Sequence, residues 1–373
     1  MSIQPIQQGS DLEPQSQYPA VIEDSRTAGL APRRLRAGLT VVRRNATTWQ
    51  IGLNPDRAVI VSGGDHVGQT LRELSTATPP TTHRAAQVIT ALDQAGVLAP
   101  ARTPSLSRVP VAVQRQLARD KDAQDLLGRD RELSHRRRAV VVVQGQPALT
   151  TAICVGLAYA GIGTVAPTGI HGEITSGDVA PGGPSASDVG REWSDVTSDL
   201  VRQWGGQTTV PTGQRIDLAI VVSASDADTP WCDPAYADPW LATDTPHLPV
   251  SVAGTAAEVG PLVQPGRTAC LRCLDAVAED LDPAWPLIRD LLRMRDRTPT
   301  AVPLVLAQIA AHTAVAWTLE HLAQQRLDGS SLSPDRSSRV QWTLPGPQQH
   351  TRPVLAHPGC GCAWGIDRGT MHM

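Results

Sequence analysis

The sequence predicts an α/β protein in which a small N-terminal module precedes a larger, doubly wound, Rossmann-like domain. Short β-branched runs separated by turn signals occupy residues 39–62. Residues 139–144 (AVVVVQ) form a continuous apolar run, which is typical of a strand buried on both faces of a parallel sheet. Strand-like and helix-like segments then alternate to about residue 252, the order expected of a doubly wound fold.

Composition limits the classes of function. The chain has 373 residues, enough for two or three domains, and a net charge of -3 with a pI near 6.4. Nucleic acid binds to clustered positive charge, so this balance argues against a nucleic-acid partner. The first residues lack the basic start and apolar run of a secretory signal. The longest apolar stretch, residues 303–322, contains Gln308, His312 and Glu320, which indicates a packed helix rather than a membrane span. We expect a cytoplasmic protein.

The N-terminal third divides into a tail, a folded module and a connector. Residues 1–32 are rich in Gln, Pro, Ser and acidic side chains without periodicity, a composition that predicts a disordered tail. Residues 33–100 hold three strand-like runs and two amphipathic helices, the second ending at Gly96, and resemble a winged-helix module. Residues 101–138 are polar and charged, so we interpret them as a solvated helical connector.

The larger domain, residues 139–364, opens with a damaged glycine turn. Against the nucleotide-binding pattern G-x-G-x-x-G, Gly145 remains, but Pro147 and Thr150 replace the other two glycines. Proline removes an amide donor and adds a ring where phosphate would approach, although it fits the first turn of a helix. We therefore treat Gly145 as the remnant of a degenerate cofactor-binding loop, and favour a scaffold without nucleotide over a working phosphate site.

Two closely spaced cysteine pairs, C-x-x-C and C-x-C, predict a metal site. Together they fit a tetrahedral structural Zn²⁺ centre, with His357 considered as a substitute for one sulfur. A redox pair and a disulfide framework are alternatives that the surrounding sequence favours less. Cys154 and Cys232 are interpreted as buried thiols. The four predicted ligands are Cys270, Cys273, Cys360 and Cys362.

These features together resemble the ThiF/MoeB superfamily of adenylating enzymes, which is related to ubiquitin-activating E1. The match is carried by residues 247–252 and by residues 260–273 (GPLVQPGRTACLRC). Shorter motifs resemble an actinobacterial cyclodehydratase-like subgroup, described as leader-peptide-binding proteins for thiazole/oxazole-modified peptides. The resemblance implies a peptide-binding winged helix at the N-terminus and a homodimer. The motifs are residues 180–183 (APGG), 188–190 (DVG), 270–275 (CLRCLD), 282–286 (DPAWP) and 357–362 (HPGCGC).

Active members of the superfamily hold ATP and Mg²⁺ with the glycine loop, an arginine, a lysine and an aspartate, and this sequence departs at most of these positions. Trp193 stands at the lysine position, and the only lysine in the chain, Lys121, precedes the loop. The metal-binding aspartate of the family aligns with Asp226 only if the alignment is shifted slightly. Asp226 is therefore the catalytic candidate if the protein is active. Residues 217–244 contain six acidic and no basic side chains, a surface expected to repel triphosphate. ATP and Mg²⁺ are therefore doubtful cofactors.

The leading hypothesis is a non-catalytic or weakly catalytic protein that binds a precursor (leader) peptide. It would present that peptide to a separate modifying enzyme, of YcaO type by resemblance, in peptide natural-product or bacteriocin-type biosynthesis. An extended peptide could add a strand beside residues 57–62 and pack on the second helix. Ordinary core packing is the alternative for each predicted contact residue. These residues are Val59, Val61, Val88 and Leu92.

Two other functions stay open. An active ThiF-type adenylyltransferase would convert a carboxyl terminus to an acyl-adenylate with ATP. A winged-helix regulator would bind DNA, although residues 35–98 carry only six arginines against four acidic residues. The last residues, 365–373, are expected to form a tail.

Overall fold

The chain divides into two compact units in the computed structural model. One unit comprises Met1–Ser107 with Ala118–Leu133, and the other comprises Arg108–Leu117 with Ser134–Met373. The exact domain boundaries stay a prediction. The structure describes residues 3–5, 32–78, 85–101, 111–126, 132–224, 230–294, 303–327, 337–346 and 348–362.

The described residues of the first unit form a four-stranded antiparallel sheet, a two-stranded sheet, two complete helices and the C-terminal part of a third helix, Val111–Leu126. The four strands lie in the order β1-β5-β4-β3, and β2 pairs with β6. The elements are β1 (Ile3–Pro5), β2 (Arg33–Leu35), β3 (Val41–Asn45), β4 (Thr48–Ile51), β5 (Val59–Ser62), α1 (Asp65–Ser75), α2 (Ala85–Gln94) and β6 (Leu98–Pro100).

The strands and helices expected between residues 39 and 96 are present, whereas the assignment as a winged helix stays a prediction. The expectation of a disordered tail is wrong for Ile3–Pro5, which form a strand against β5. The reason is that the β5 edge offers backbone donors and acceptors that local composition does not reveal. The rest of the predicted tail up to residue 31 lies outside the described residues, as does the C-terminal tail.

The second unit is built on a seven-stranded mixed sheet in the order β13-β12-β11-β10-β9-β7-β8. Three short 3₁₀ turns, Ser176–Asp178, Ala186–Asp188 and Pro234–Tyr236, lie in its connections. The elements are α3 (Val111–Leu126, shared between the units), α4 (Glu132–Arg136), β7 (Val140–Gly145), α5 (Pro147–Tyr159), β8 (Thr164–Thr168), α6 (Trp193–Gln203), β9 (Leu218–Ala224), α7 (Asp238–Ala242), β10 (His247–Val252), β11 (Ala256–Val259), α8 (Leu271–Leu281), α9 (Trp285–Met294), α10 (Leu304–Leu327), β12 (Ser338–Thr343) and β13 (Gln348–Pro353).

The doubly wound parallel sheet predicted from sequence is confirmed for part of the second unit and corrected for the remainder. Strands β8, β7, β9 and β10 are parallel, as the alternation of strands and helices indicated. Strands β11, β12 and β13 are antiparallel to their neighbours. The connection from β10 to β11 is too short for the helical crossover that a parallel pair requires, so the chain turns back on itself.

The core of the second unit lies between the central strands and helices α5 and α10. Residues Val140–Val143 of β7 are buried, in agreement with their continuous apolar run. A Cβ atom on Gly156 of α5 would lie 2.9 Å from Val315 of α10, so the glycine permits these two helices to pack closely. Within the described residues, no helix is both long and apolar enough to cross a membrane.

Replacing Leu157 of α5 by Ala should destabilise the second unit. The Leu157 side chain is fully buried in this core, so truncation removes apolar contacts and leaves a cavity that costs about 2–5 kcal/mol. Leu281→Ala is the control, because Leu281 is 82% exposed and its loss should change the free energy of unfolding by less than about 0.5 kcal/mol. Urea unfolding followed by circular dichroism compares the two. Equal effects would contradict the described core.

Candidate metal centre and degenerate nucleotide loop

Gly145 is required by the contact between β7 and β9. Its φ angle is +132°, and a Cβ atom at this position would lie 1.8 Å from the carbonyl oxygen of Val222. Only glycine tolerates both the conformation and the close approach. The packing of two strands therefore explains this glycine without any bound phosphate.

The amide groups at the start of α5 already have partners within the protein. The side-chain oxygen Oε1 of Gln146 accepts a hydrogen bond from the Leu149 amide at 2.7 Å and caps the helix. The Gln146 amide donates to the Val222 carbonyl at 3.3 Å, and the Thr150 amide donates to the Gln146 carbonyl at 2.9 Å. Pro147 has no amide hydrogen. Pro147 offers no donor and the Leu149 amide is used by the cap, so two of the three amides that the first turn of α5 would offer to phosphate are lost.

Trp193 occupies an apolar cluster rather than a charged site. It begins α6, is 5% exposed, and packs with Ile170, Ile174 and Val196. Ala148, in the first turn of α5, packs against the same cluster. At the position where the family resemblance expects a lysine, the structure therefore places a buried indole.

Two carboxylates of the acidic run at residues 217–244 pair with arginines from other parts of the chain, and a third accepts a backbone hydrogen bond. Arg293 of α9 forms a bidentate pair with the buried Asp233, with both N–O distances 2.8 Å, and this pairing raises the pKa of Arg293. Arg272 of α8 pairs in the same way with Asp238, and Asp217 accepts a hydrogen bond from the Val140 amide. The inference of a repelling negative surface is wrong for Asp233 and Asp238, because a count along the sequence omits the arginines that pair with them. Asp226 lies outside the described residues.

The four predicted cysteines come together at the start of α8. Their sulfurs all lie within 4.8 Å of one another, and the measured Sγ–Sγ distances are 3.9 Å for Cys270–Cys273, 3.5 Å for Cys270–Cys360 and 3.3 Å for Cys273–Cys362. In a tetrahedral site with Zn–S bonds of about 2.3 Å, neighbouring sulfurs lie about 3.8 Å apart. The cluster could therefore hold a metal ion, and its dimensions suit Zn²⁺.

The protonation of the cluster favours metal binding. The thiol of Cys270 hydrogen bonds to Cys273, which lowers the pKa of Cys273 to about 4 and raises the pKa of Cys270. These contacts favour the thiolate form of Cys273, and the thiolate is the form that ligates metals. A bound cation would displace the proton of Cys270 and make all the sulfurs equivalent donors.

His357 supports the cysteine cluster without occupying a ligand position. Its Nδ1 atom accepts a hydrogen bond from the Gly359 amide at 3.1 Å, so its Nε2 atom carries the proton and donates to Asp280 at 2.9 Å. The His357 carbonyl accepts from the Cys360 amide at 3.0 Å. Both ring nitrogens are engaged, so our suggestion that His357 substitutes for a cysteine does not fit this geometry.

The other residues singled out in the sequence, two cysteines and the four predicted peptide contacts, are buried in the structure. Cys154 is fully buried in α5, which raises the pKa of its thiol, and Cys232 is buried in a separate apolar cluster. The four predicted peptide contacts are all buried core residues of the first unit, which favours the core alternative. Their role in peptide binding stays a prediction. They are Val59, Val61, Val88 and Leu92.

Sequence reasoning missed a polar network that joins α8 to α9. Asp275 accepts hydrogen bonds from the Trp285 indole at 3.2 Å and from Arg289 at 3.1 Å, and Arg289 also pairs with Glu279. The signal was present, because Asp275 ends one of the quoted motifs and Trp285 lies in the next. The network fixes α9 on the helix that carries the first cysteine pair.

The fold is that of known biosynthetic enzymes. MccB from E. coli, in its structure with MccA-N7isoASN, matches with a TM-score of 0.60 and 16% identity, over 89% of this chain and 99% of MccB. The Microcin C7 biosynthetic enzyme MccB in complex with N-formylated MccA matches with a TM-score of 0.59 at the same identity and coverage. The heterocyclase TruD matches with a TM-score of 0.56 and 14% identity, over 90% of this chain but 43% of TruD. No family model and no curated protein matches the sequence.

At these identities the likeness establishes the fold alone. It agrees with the mixed α/β, Rossmann-type architecture that the sequence predicted, and the match extends over nearly the full length of MccB. This likeness by itself assigns neither a particular family nor the chemistry of the site.

Purified protein should contain one Zn²⁺ per chain, bound by the cysteine cluster. Cys273→Ser should reduce zinc to near zero and lower the thermal midpoint, because structural zinc sites bind with about 10–16 kcal/mol in zinc-finger peptides. Cys232→Ser is the matched control, since this buried cysteine lies outside the cluster. Elemental analysis and thermal unfolding measure both effects. Full zinc content in Cys273→Ser would contradict the assignment.

Gly145→Ala should destabilise the second unit by more than about 2 kcal/mol, because the added methyl group collides with the Val222 carbonyl. Gly182→Ala is the control: Gly182 also has a positive φ, +76°, but no atom lies within 4 Å of its added Cβ. Its cost should be about 1–2 kcal/mol, from backbone strain alone. Chemical denaturation of both variants measures the difference. A Gly145→Ala protein as stable as Gly182→Ala would refute the packing explanation.

Proposed function

We propose that this protein binds a precursor (leader) peptide and presents it to a separate modifying enzyme without adenylating the peptide itself. One observation carries the proposal. At the positions where the family resemblance expects nucleotide contacts, the chain has groups of another kind: Gln146 caps α5, Pro147 replaces an amide donor, and Trp193 is packed into apolar surroundings.

The neighbours in fold support a setting in peptide natural-product biosynthesis. MccB is a Microcin C7 biosynthetic enzyme that has been solved with N-formylated MccA, and TruD is a heterocyclase. Thiazoles and oxazoles are heterocycles, so TruD agrees with the subgroup that the sequence motifs resemble. We infer that the chain belongs to this E1-like group, and that its modifying partner is a separate enzyme of YcaO type.

In this proposal the two units have different tasks. The peptide adds a strand to the small sheet of the first unit, where main-chain hydrogen bonds provide affinity. The second unit provides a rigid E1-like scaffold that docks the partner enzyme or a second copy of the chain. Four thiolates would complete the coordination of Zn²⁺ and leave no position for water, so the metal stabilises the fold rather than taking part in a reaction.

A second candidate is an active adenylyltransferase, which one comparison favours. MccB has also been solved with ATP, and that structure matches this chain with a TM-score of 0.59. In this alternative, Asp226 holds Mg²⁺ and Gly145 marks the phosphate turn. The occupied amides at α5 and the single lysine at Lys121 weigh against it.

Calorimetry with ATP and Mg²⁺ separates the two candidates. We expect no saturable binding up to about 1 mM nucleotide, the upper end of common enzyme affinities, while precursor peptides encoded beside the gene bind saturably by fluorescence anisotropy. E. coli MccB with ATP is the positive control. ATP–pyrophosphate exchange that is abolished by Asp226→Ala but kept in Asp228→Ala would overturn the proposal in favour of the enzyme. A salt-dependent shift of duplex DNA would instead favour the regulator.

A further inference from the structure

The strands β5, β4 and β3 form a sheet whose two outer strands, β5 and β3, differ in their openness to a further strand. Strand β3 carries Arg43 and Arg44 and has an irregular register at Arg43–Asn45. The guanidinium of Arg43 lies 5.3 Å from the centre of the Trp49 ring and hydrogen bonds to Ala46. Charged side chains and bulges are common protections of an edge against pairing. Strand β5, with the sequence Val-Ile-Val-Ser, has neither protection.

The edge of β5 is occupied by the chain's own residues 3–5. Strand β1 pairs with it in antiparallel register, with Ile3 opposite Val61, Gln4 opposite Ile60 and Pro5 opposite Val59. This is the edge at which the proposed function places an extended peptide.

The register identifies the backbone groups that matter. Pro5 has no amide hydrogen, so it belongs at a position that faces away from the partner strand. Because positions alternate along an antiparallel pair, Gln4 and Ile60 are the residues that exchange hydrogen bonds. The other side of β5 is consistent with this. The Gly63 amide donates to the Thr47 carbonyl at 2.7 Å, and by the same alternation the amides of Val61 and Val59 face β4.

We propose that Ile3–Pro5 is a resident strand that an incoming extended peptide must displace from the edge of β5. The inference rests on the proposed function for the nature of that peptide. Within the described residues, β1 is held by three residue pairs, so this pairing is weak in itself, and its attachment to the same chain raises its effective concentration. The displacing peptide must supply a backbone donor opposite Ile60 and tolerates proline opposite Val59.

The chain's own first eight residues are the probe. A synthetic peptide MSIQPIQQ, labelled at its C-terminus, is titrated by fluorescence anisotropy against the full chain and against a variant that lacks residues 2–8. We expect saturable binding to the shortened variant, at least about tenfold tighter than to the full chain, in which the edge is filled. Absence of binding to the shortened variant, or equal binding to both proteins, overturns the proposal.

Two methylated peptides test the register. N-methylation of Gln4 removes the amide that faces Ile60, and should abolish binding. N-methylation of Ile3 alters an amide on the outward side of the strand, and should leave binding within about threefold of the parent peptide. Equal losses from both peptides would contradict the assigned pairing.

Hydrogen exchange on the full chain avoids any dependence on how the shortened variant folds. The Ile60 amide should be protected in the full chain and should lose protection in Gln4→Pro, while the Val61 amide, which faces β4, stays protected in both. Unchanged exchange at Ile60 overturns the proposal.

The resident strand and the proposed function fail in different ways. If MSIQPIQQ binds the shortened variant but no precursor peptide competes with it, the resident strand stands and the proposed function fails. If a precursor peptide binds the full chain and the shortened variant equally well, the proposed function stands and the resident strand is refuted.

Discussion

The second unit depends on the close contact between β7 and β9 at Gly145. The Val222 carbonyl approaches so near that no side chain fits, and it also receives the amide hydrogen of Gln146. This contact sets the point at which β7 ends and α5 begins. The Gln146 cap, the position of Pro147 in the first turn and the packing of α5 on α10 then follow from it. A turn that resembles a nucleotide loop is thus maintained by strand and helix packing.

Arginine pairs organise the region around the cysteines. Arg272 lies on α8, and Arg289 and Arg293 lie on α9. Their carboxylate partners lie on α7, on α8 and in the turn that precedes α7. A planar guanidinium satisfies both oxygens of a carboxylate at once, which the ammonium of lysine does not do. The strong preference for arginine over lysine therefore has a structural use here: forked pairs attach the cysteine-bearing helix α8 to α7 through Arg272, and α9 to the turn before α7 through Arg293.

Local sequence patterns predicted individual helices and strands, whereas contacts between residues far apart in the sequence were not predicted. The apolar run of β7, the helix period of α5 and the spacing of the four cysteines were each readable from short stretches, and the structure has them as expected. The antiparallel strands β11–β13, the partners of the acidic run and the pairing of Ile3–Pro5 depend on groups far apart in sequence. Periodicity carries no information about such partners. Val59 and Val61 are a further example. The sequence shows that they share one apolar face of a strand, but it does not show whether that face packs into the core or binds a partner, and the structure places both in the core.

The packing of Trp193 bears on how this site could change over evolutionary time. A lysine at position 193 would bring a charged group among Ile170, Ile174 and Val196, where no water compensates its loss of hydration. It would also leave the space of an indole partly empty. Introducing a lysine at position 193 would therefore cost stability unless the surrounding apolar side chains changed with it. The packing of this cluster thus disfavours any single substitution that places a charge at position 193.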